Sequence, residues 1–239
     1  MLDIKIVKHN LPSLYSEQAI YLEKIIGKAY SSIYEFTYSN EKNAIEKVFK
    51  QYEDSNFLFT LLHQDEVVAF VIGRYLDEIG EYQKVLCINE ISVLPKFRGL
   101  KLSEKLRDMC VKDFNPNIIF GESNNPISVK SRESASRKMG YYTYWMEETI
   151  SDINPLSFEK VQKISYKLAE YFDPENIGKY KDGCMPFTID SDAFPEEKYN
   201  TIPELSKLFD KIKLYSNSVS KSALGVLISI KSGYEKYLP

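Results

Sequence analysis

Basic residues surround a lone glycine in the stretch LPKFRGLKLSEKL, residues 94–106, at the predicted start of a helix. A helix start leaves backbone N–H groups without partners and carries the positive end of the helix dipole. Gly99 allows the backbone to approach a ligand closely, and Arg98 offers a fork of donors that suits phosphate oxygens. Lys96 and Lys101 add less directional charge. Because the dipole opposes cations here, the cluster favours a phosphate cradle; a solvated turn is the alternative.

Composition excludes several classes of protein. The chain has 239 residues and a formal net charge of −3, which argues mildly against a nucleic-acid scaffold. Its three cysteines are far apart and lack CxxC spacing, and its only histidines are His9 and His63. Neither a disulfide framework nor a metal site is therefore expected. With no leader and no long apolar run, the expectation is a reduced, cytoplasmic protein that does not enter membranes.

The elements that must position this cradle follow from hydrophobic periodicity. The predicted order over residues 1–150 is β-α-α-β-β-β-α-β-α-β, a mixed α/β domain. Gln64-Asp65 is predicted to be a hairpin turn without glycine. The helix after the basic stretch is predicted over Gly99 to Phe114, with Leu102, Leu106, Met109 and Cys110 on its buried face. Gly140 is placed to end the next helix.

Residues 151–239 are predicted to be a helical insertion or extension. Asn154-Pro155 and the capping box of Thr201 and Glu204 each start a helix. A strong strand pattern covers about residues 223–231, and we expect this strand to return to the sheet of the first domain. The alternative is a separate helical module that serves dimerisation or partner binding.

The segment INEISVLPKFRGLKLSEKL resembles the acetyl-CoA-binding core of the GNAT acyltransferase superfamily, in which a strand leads through V-x-P-x-[YF]-R-G into a helix. Val93, Pro95, Phe97, Arg98 and Gly99 match in order. NIIFGES is similar to the family's next strand, and SRESASRKMGYY to the helix before its Gly-aromatic step. The resemblance covers residues 1–150. Where the family pattern Q/R-x-x-G-x-G/A has two small residues, this chain has Lys101 and Ser103.

The resemblance implies an α/β (α+β) fold: a mostly antiparallel sheet with a splayed parallel strand pair, flanked by helices, plus the helical extension. It implies acetyl-CoA, or another acyl-CoA, as co-substrate. The pantetheine arm would pair with the backbone of Ile91, Ser92 and Val93. Asn124 would contact that arm, although an Asn-Asn-Pro turn is the alternative. The remaining binding residues implied are Phe97, Arg98, Gly99, Leu100, Lys101, Leu102 and Ser103.

The resemblance also implies catalytic positions. Glu90 would act through water as general base for an attacking amine, or else be a strand-edge acid that faces solvent or pairs with a lysine. The family's general-acid slot holds Ser136, a poor acid, so Tyr142 or direct transfer to the thiolate is considered. The implied activity is N-acyl transfer to a small amine or a lysine-bearing peptide, with a homodimer also compatible. The alternative is a degenerate domain that binds CoA or a protein partner.

Overall fold

The computed structural model describes residues 3–13, 15–34, 49–123, 126–145, 148–149, 156–172 and 225–239. The chain divides into two compact units, which are described separately below. Unit 1 comprises residues 1–76 and 86–115, and unit 2 comprises residues 77–85 and 116–239. None of the helices described in these ranges has the length and apolar character needed to cross a bilayer.

Unit 1 is built on an antiparallel meander. Its strands are β1 (Lys5–His9), β2 (Phe57–His63), most of β3 (Glu66–Ile79) and the last two thirds of β4 (Tyr82–Val93), in that order in the sheet. The β2–β3 connection is the turn Gln64-Asp65, and both residues have positive φ, 52° and 62°. The predicted hairpin turn without glycine is thus confirmed, with both central residues left-handed as tight hairpins require.

Two helices cover opposite faces of the unit 1 strands. Helix α1 (Tyr15–Tyr34) buries Leu22, Ile26 and Tyr30 against β2 and β3. Helix α2 (Leu102–Phe114) ends at Phe114, whose ring packs 5.0 Å from that of Phe57. Alternation along β2 explains the division, because successive side chains of a strand point to opposite faces. The four buried residues predicted for α2 are all buried.

Unit 2 contains the start of β4 and four further strands. These are β5 (Ile118–Ser123), β6 (Tyr141–Trp145), β7 (Glu148–Thr149) and β8 (Gly225–Lys231), and the strand order is β4-β5-β8-β6-β7. Strand β8 is antiparallel to both β5 and β6. Helices α3 (Pro126–Lys138) and α4 (Phe158–Phe172) complete the unit. Gly140 has φ 82°, which confirms its predicted place at the end of α3.

The predicted fold class is confirmed, since the sheet is mostly antiparallel with one parallel pair and helices flank it. Val161, Ile164 and Leu168 form the buried face of α4. The predicted domain boundary after residue 150 and the helix expected from Thr201 lie outside the described residues. The splay of the parallel pair stays a prediction.

Candidate functional site

The loop between β4 and α2 contains two left-handed residues in quick succession. A 3₁₀ turn covers Pro95–Phe97, then Gly99 has φ 83° and Lys101 has φ 58°. A right-handed helix cannot include positive φ. The prediction that the helix begins at Gly99 is therefore wrong, and α2 begins at Leu102.

The first turn of α2 presents backbone donors that the helix itself does not use. The first helical hydrogen bond runs from the Lys105 N–H to the Lys101 carbonyl oxygen, 3.1 Å. The amides of Leu102, Ser103 and Glu104 precede it and have no carbonyl partner within the helix. Lys101 makes no side-chain cap, and its side chain is exposed. The helix start therefore has the donors and the dipole that bind phosphate groups.

In this loop the Phe97 side chain is buried, whereas the Arg98 side chain is exposed. The Phe97 side chain is buried, with the His63 ring 5.6 Å away edge-on and the Lys96 ammonium 5.1 Å from its ring centroid. Arg98 is exposed, and its Nε donates to the Val93 carbonyl oxygen at 3.4 Å. Its other guanidinium nitrogens have no hydrogen-bond partner among the described residues. Four of the five Arg donors can thus bind an anion at the loop.

The end of β4 places Glu90 and Ser92 together on one face of the strand. Ser92 is buried and its hydroxyl donates a hydrogen bond to the half-buried Glu90 carboxylate. Asn89 points to the other face, where its amide donates to the Ser55 hydroxyl at 3.2 Å and Gln18 of α1 donates to the Ser55 carbonyl oxygen. Glu90 therefore faces away from α1. Ile91 and Val93 are half-buried, and their pairing with the pantetheine arm stays a prediction.

Arg107 is a buried cation that the sequence analysis missed. It is 5% exposed, and its Nε has no hydrogen-bond partner among the described residues. Burial lowers the pKa of the Arg107 guanidinium to about 10, while attraction to Cys110 and Glu104 opposes that shift. The group thus stays charged at neutral pH, within the helix whose first turn forms the candidate anion site. Its position beside Leu106, one turn before Cys110, was the available signal that it lies within the apolar stripe.

The described cysteines are not nucleophiles. Burial raises the pKa of the Cys110 thiol to about 12, so it carries its proton at neutral pH. Cys87 is buried too, and its thiol lies 3.3 Å from the Asn89 side-chain oxygen. Among the described residues no group of His, Cys, Asp and Glu side chains could hold a metal ion.

Unit 2 holds the other predicted site residues. Ser136 is 1% exposed and its hydroxyl lies 3.2 Å from that of Ser229, which also lies 2.9 Å from the Thr143 hydroxyl. These three hydroxyl groups satisfy one another inside the unit, an environment that suits packing rather than proton donation to a ligand. Tyr142 is half-buried on β6, opposite Ile230 of β8. Asn124 lies outside the described residues.

Neither a family model nor a curated protein matches the chain. Solved structures do match. An aminoglycoside acetyltransferase from an uncultured soil metagenomic sample has 11% identity and a TM-score of 0.42, with 64% of this chain and 95% of that chain covered.

Two further matches are a GNAT-family acetyltransferase and an N-acetyltransferase. The acetyltransferase of GNAT family from Staphylococcus aureus Mu50 has 16% identity and a TM-score of 0.37, covering 65% of this chain and 94% of that chain. The ribosomal-protein-S18-alanine N-acetyltransferase from Escherichia coli has 15% identity and a TM-score of 0.38, covering 60% and 82%. Because the TM-scores of these three matches are all below 0.5, the function is inferred from the chain's own residues. The described elements form a mostly antiparallel sheet with one parallel pair and flanking helices, which is the fold class that the sequence resemblance implied.

Proposed function

We propose that the chain is an N-acyltransferase that moves an acetyl or related acyl group from acyl-CoA to an amine. The observation that carries the proposal is the loop of residues 98–101, whose two left-handed residues lead into a helix start where the amides of Leu102 and Ser103 have no carbonyl partner within the helix. Arg98 and Lys101, which precede those amides in the chain, are exposed, and the Lys101 side chain makes no cap hydrogen bond with the helix start. This arrangement suits the diphosphate of CoA.

Binding at the loop would direct the rest of acyl-CoA along β4. The pantetheine arm would pair with the backbone of Ile91, Ser92 and Val93, as another strand does. A backbone N–H at Val93 would donate to the thioester carbonyl oxygen and stabilise the negative charge that develops there. The Ser92 hydroxyl is already engaged with Glu90, so it orients that carboxylate rather than the ligand.

The transfer itself needs one base and no covalent enzyme intermediate. The amine nitrogen attacks the acyl carbon, the C–S bond breaks, and the electron pair of that bond leaves on the CoA sulfur. Glu90 takes the proton from the amine through a water molecule. The thiolate receives a proton from solvent or from Tyr142. Protonated Cys110 agrees with direct attack, because its thiol offers no thiolate for an acyl-enzyme at neutral pH.

A second candidate is a GNAT-like domain that binds CoA without turnover, as a sensory or interaction module. One observation favours it: the Ser136 hydroxyl, in the general-acid slot, is buried and engaged with Ser229. The acceptor in the first proposal is a small amine or a lysine-bearing peptide.

Two measurements separate these functions. Acetyl-CoA should raise the melting temperature of the protein, and an amine panel should then release free thiol in proportion to enzyme concentration. Stabilisation without thiol release would establish the binding module. No stabilisation at millimolar acetyl-CoA would overturn both functions.

Arg98→Gln tests the placement of the diphosphate. It removes the free guanidinium donors, so acetyl-CoA should bind about tenfold more weakly. Lys163→Gln, which removes an exposed charge from α4, is the matched control and should leave the affinity unchanged. Equal affinities for the two variants would place the diphosphate elsewhere.

A further inference from the structure

A cavity of about 580 Å³ lies within unit 1, beside the first residues of the loop between β4 and α2. One face of α1, the β2–β3 turn and the residues directly after β4 form its walls. Its lining consists of Lys24, Ile25, Lys28, Ala29, Ser32, Asp65, Glu66, Val67, Leu94, Pro95 and Lys96. The volume is within the range of small-molecule pockets in proteins. All of these residues are described. Lys96 also belongs to the basic cluster around Gly99, whereas the other lining residues are not among those proposed to hold acyl-CoA.

The cavity has an apolar floor and a charged rim. Ile25, Ala29 and Val67 are buried or half-buried, whereas the lysines and carboxylates are exposed. Lys28 and Glu66 form an ion pair at 2.7 Å, and the hydrogen bond from Lys28 lowers the pKa of the Glu66 carboxyl. These two charges offset each other.

The unpaired charges of the rim determine what the cavity can bind. Lys24 and Lys96 have no carboxylate partner within hydrogen-bonding distance among the described residues, although Lys96 also contacts the Phe97 ring. Asp65 is the other charged residue of the rim, so three lysines face two carboxylates and one positive charge remains. A monoanion would neutralise this charge, whereas a dianion would leave the occupied site with a net negative charge.

The backbone holds one wall of the cavity in an unfavourable conformation. Gln64 and Asp65 adopt left-handed φ without glycine at either position. Asn or Gly would make this turn at lower cost, so the conformation is maintained against a local preference. The turn fixes Asp65 and Glu66 at the rim, opposite the lysines of α1.

We propose that this cavity binds a small monocarboxylate with an apolar body. The apolar part would lie on Ile25, Ala29 and Val67, and the carboxylate would accept hydrogen bonds from Lys24 and Lys96. The site does not depend on acyl transfer. Leu94, Pro95 and Lys96 line the cavity, and residues 97–99 of the proposed diphosphate site follow them directly in the chain.

The test uses three probes on the full chain: 4-phenylbutyrate, its neutral analogue 4-phenylbutanol, and acetate, which lacks an apolar body. Amide chemical shifts report where each probe binds. We expect 4-phenylbutyrate to shift the amides of residues 24–32, 64–67 and 94–96 with millimolar affinity. Both the alcohol and acetate should bind at least about fivefold more weakly than 4-phenylbutyrate, because each lacks one of the two contacts.

A charge-matched pair of variants distinguishes specific contacts from general attraction. Lys24→Gln/Lys96→Gln should weaken 4-phenylbutyrate binding about fivefold to tenfold. Lys163→Gln/Lys236→Gln removes the same charge from exposed positions in unit 2 and should leave the affinity unchanged. Equal weakening in both variants, equal binding of acid and alcohol, or shifts confined to other residues would overturn the proposal. Acyl transfer can fail its own test without affecting these outcomes.

Discussion

At the scale of single residues, Lys101 departs from the GNAT sequence pattern but has a left-handed backbone conformation that glycine adopts easily. The pattern has a small residue where this chain has lysine. The backbone of Lys101 nevertheless adopts φ 58° and ψ 25°, the conformation that glycine favours, and its side chain points to solvent. A side chain at this position therefore costs backbone strain that glycine would not incur.

Lys101→Gly should remove that strain. We expect the free energy of unfolding to increase by about 1 kcal/mol, because a left-handed conformation disfavours a side chain but not glycine. Urea denaturation measures the change. Lys101→Ala is the matched control, since it removes the same charge but retains Cβ. A glycine variant no more stable than the alanine variant would show that Lys101 carries no strain.

Glu90→Gln tests the proposed general base. Glutamine keeps the size of the side chain and an oxygen that accepts the hydrogen bond from Ser92, but it cannot take a proton at neutral pH. Loss of a general base costs about 100-fold or more in kcat, while KM for acyl-CoA should stay within about twofold. Steady-state kinetics measures both. Glu159→Gln, at an exposed position of α4, is the control. An unchanged kcat in Glu90→Gln would exclude Glu90 as the base.

At the scale of elements, helix α2 combines a binding end with an unusual buried face. Its first turn presents the amides of Leu102 and Ser103, and one turn later Arg107 and Cys110 lie among Leu106 and Met109. Attraction between the guanidinium and the thiolate form of Cys110 opposes both pKa shifts, but burial dominates each of them. Helix α2 therefore carries a buried positive charge, that of Arg107, one turn after the proposed anion site.

Burial of Cys110 makes stability fall at alkaline pH. The unfolded thiol ionises near pH 9, its ordinary value, whereas the folded thiol keeps its proton until about pH 12. Between these values the unfolded chain binds fewer protons, so the free energy of unfolding decreases as pH rises. One such group contributes at most about 1.4 kcal/mol per pH unit.

Cys110→Ala isolates this contribution. Its free energy of unfolding should decrease less steeply than that of the wild type between pH 8.5 and 10, whatever the constant cost of the smaller side chain. Denaturant titrations at each pH measure the slope. Parallel slopes in the two proteins would show that the Cys110 thiol ionises at the same pH in the folded and unfolded chains.

At the scale of the whole molecule, the sequence predicted the elements better than the site. Alternation identified the strands, and 3.6-residue periodicity identified the buried face of α2, because both patterns are direct consequences of burial. The start of α2 was misplaced because the φ angle of Lys101 depends on the path of the loop and not on its side chain. The burial of Arg107 was missed because an arginine within an apolar pattern is normally expected to be exposed.

Truncation after residue 150 tests the role of the C-terminal segment. It removes β8, which lies between β5 and β6, together with the buried side chains of Ile228 and Ile230. It also removes α4, whose Phe172 ring stacks 5.3 Å from that of Phe120. Both β5 and β6 would lose a partner strand, so the truncated chain should lack cooperative unfolding and aggregate.

A point variant keeps this prediction testable even if the truncated chain is never soluble. Ile230→Ala should leave the protein folded but reduce its free energy of unfolding by about 2–5 kcal/mol, the cost of a buried cavity. An exposed isoleucine of α1, Ile20, provides the control, and Ile20→Ala should cost far less. If the truncation instead unfolds cooperatively and binds acetyl-CoA, β8 is dispensable and residues 151–239 are a separate module.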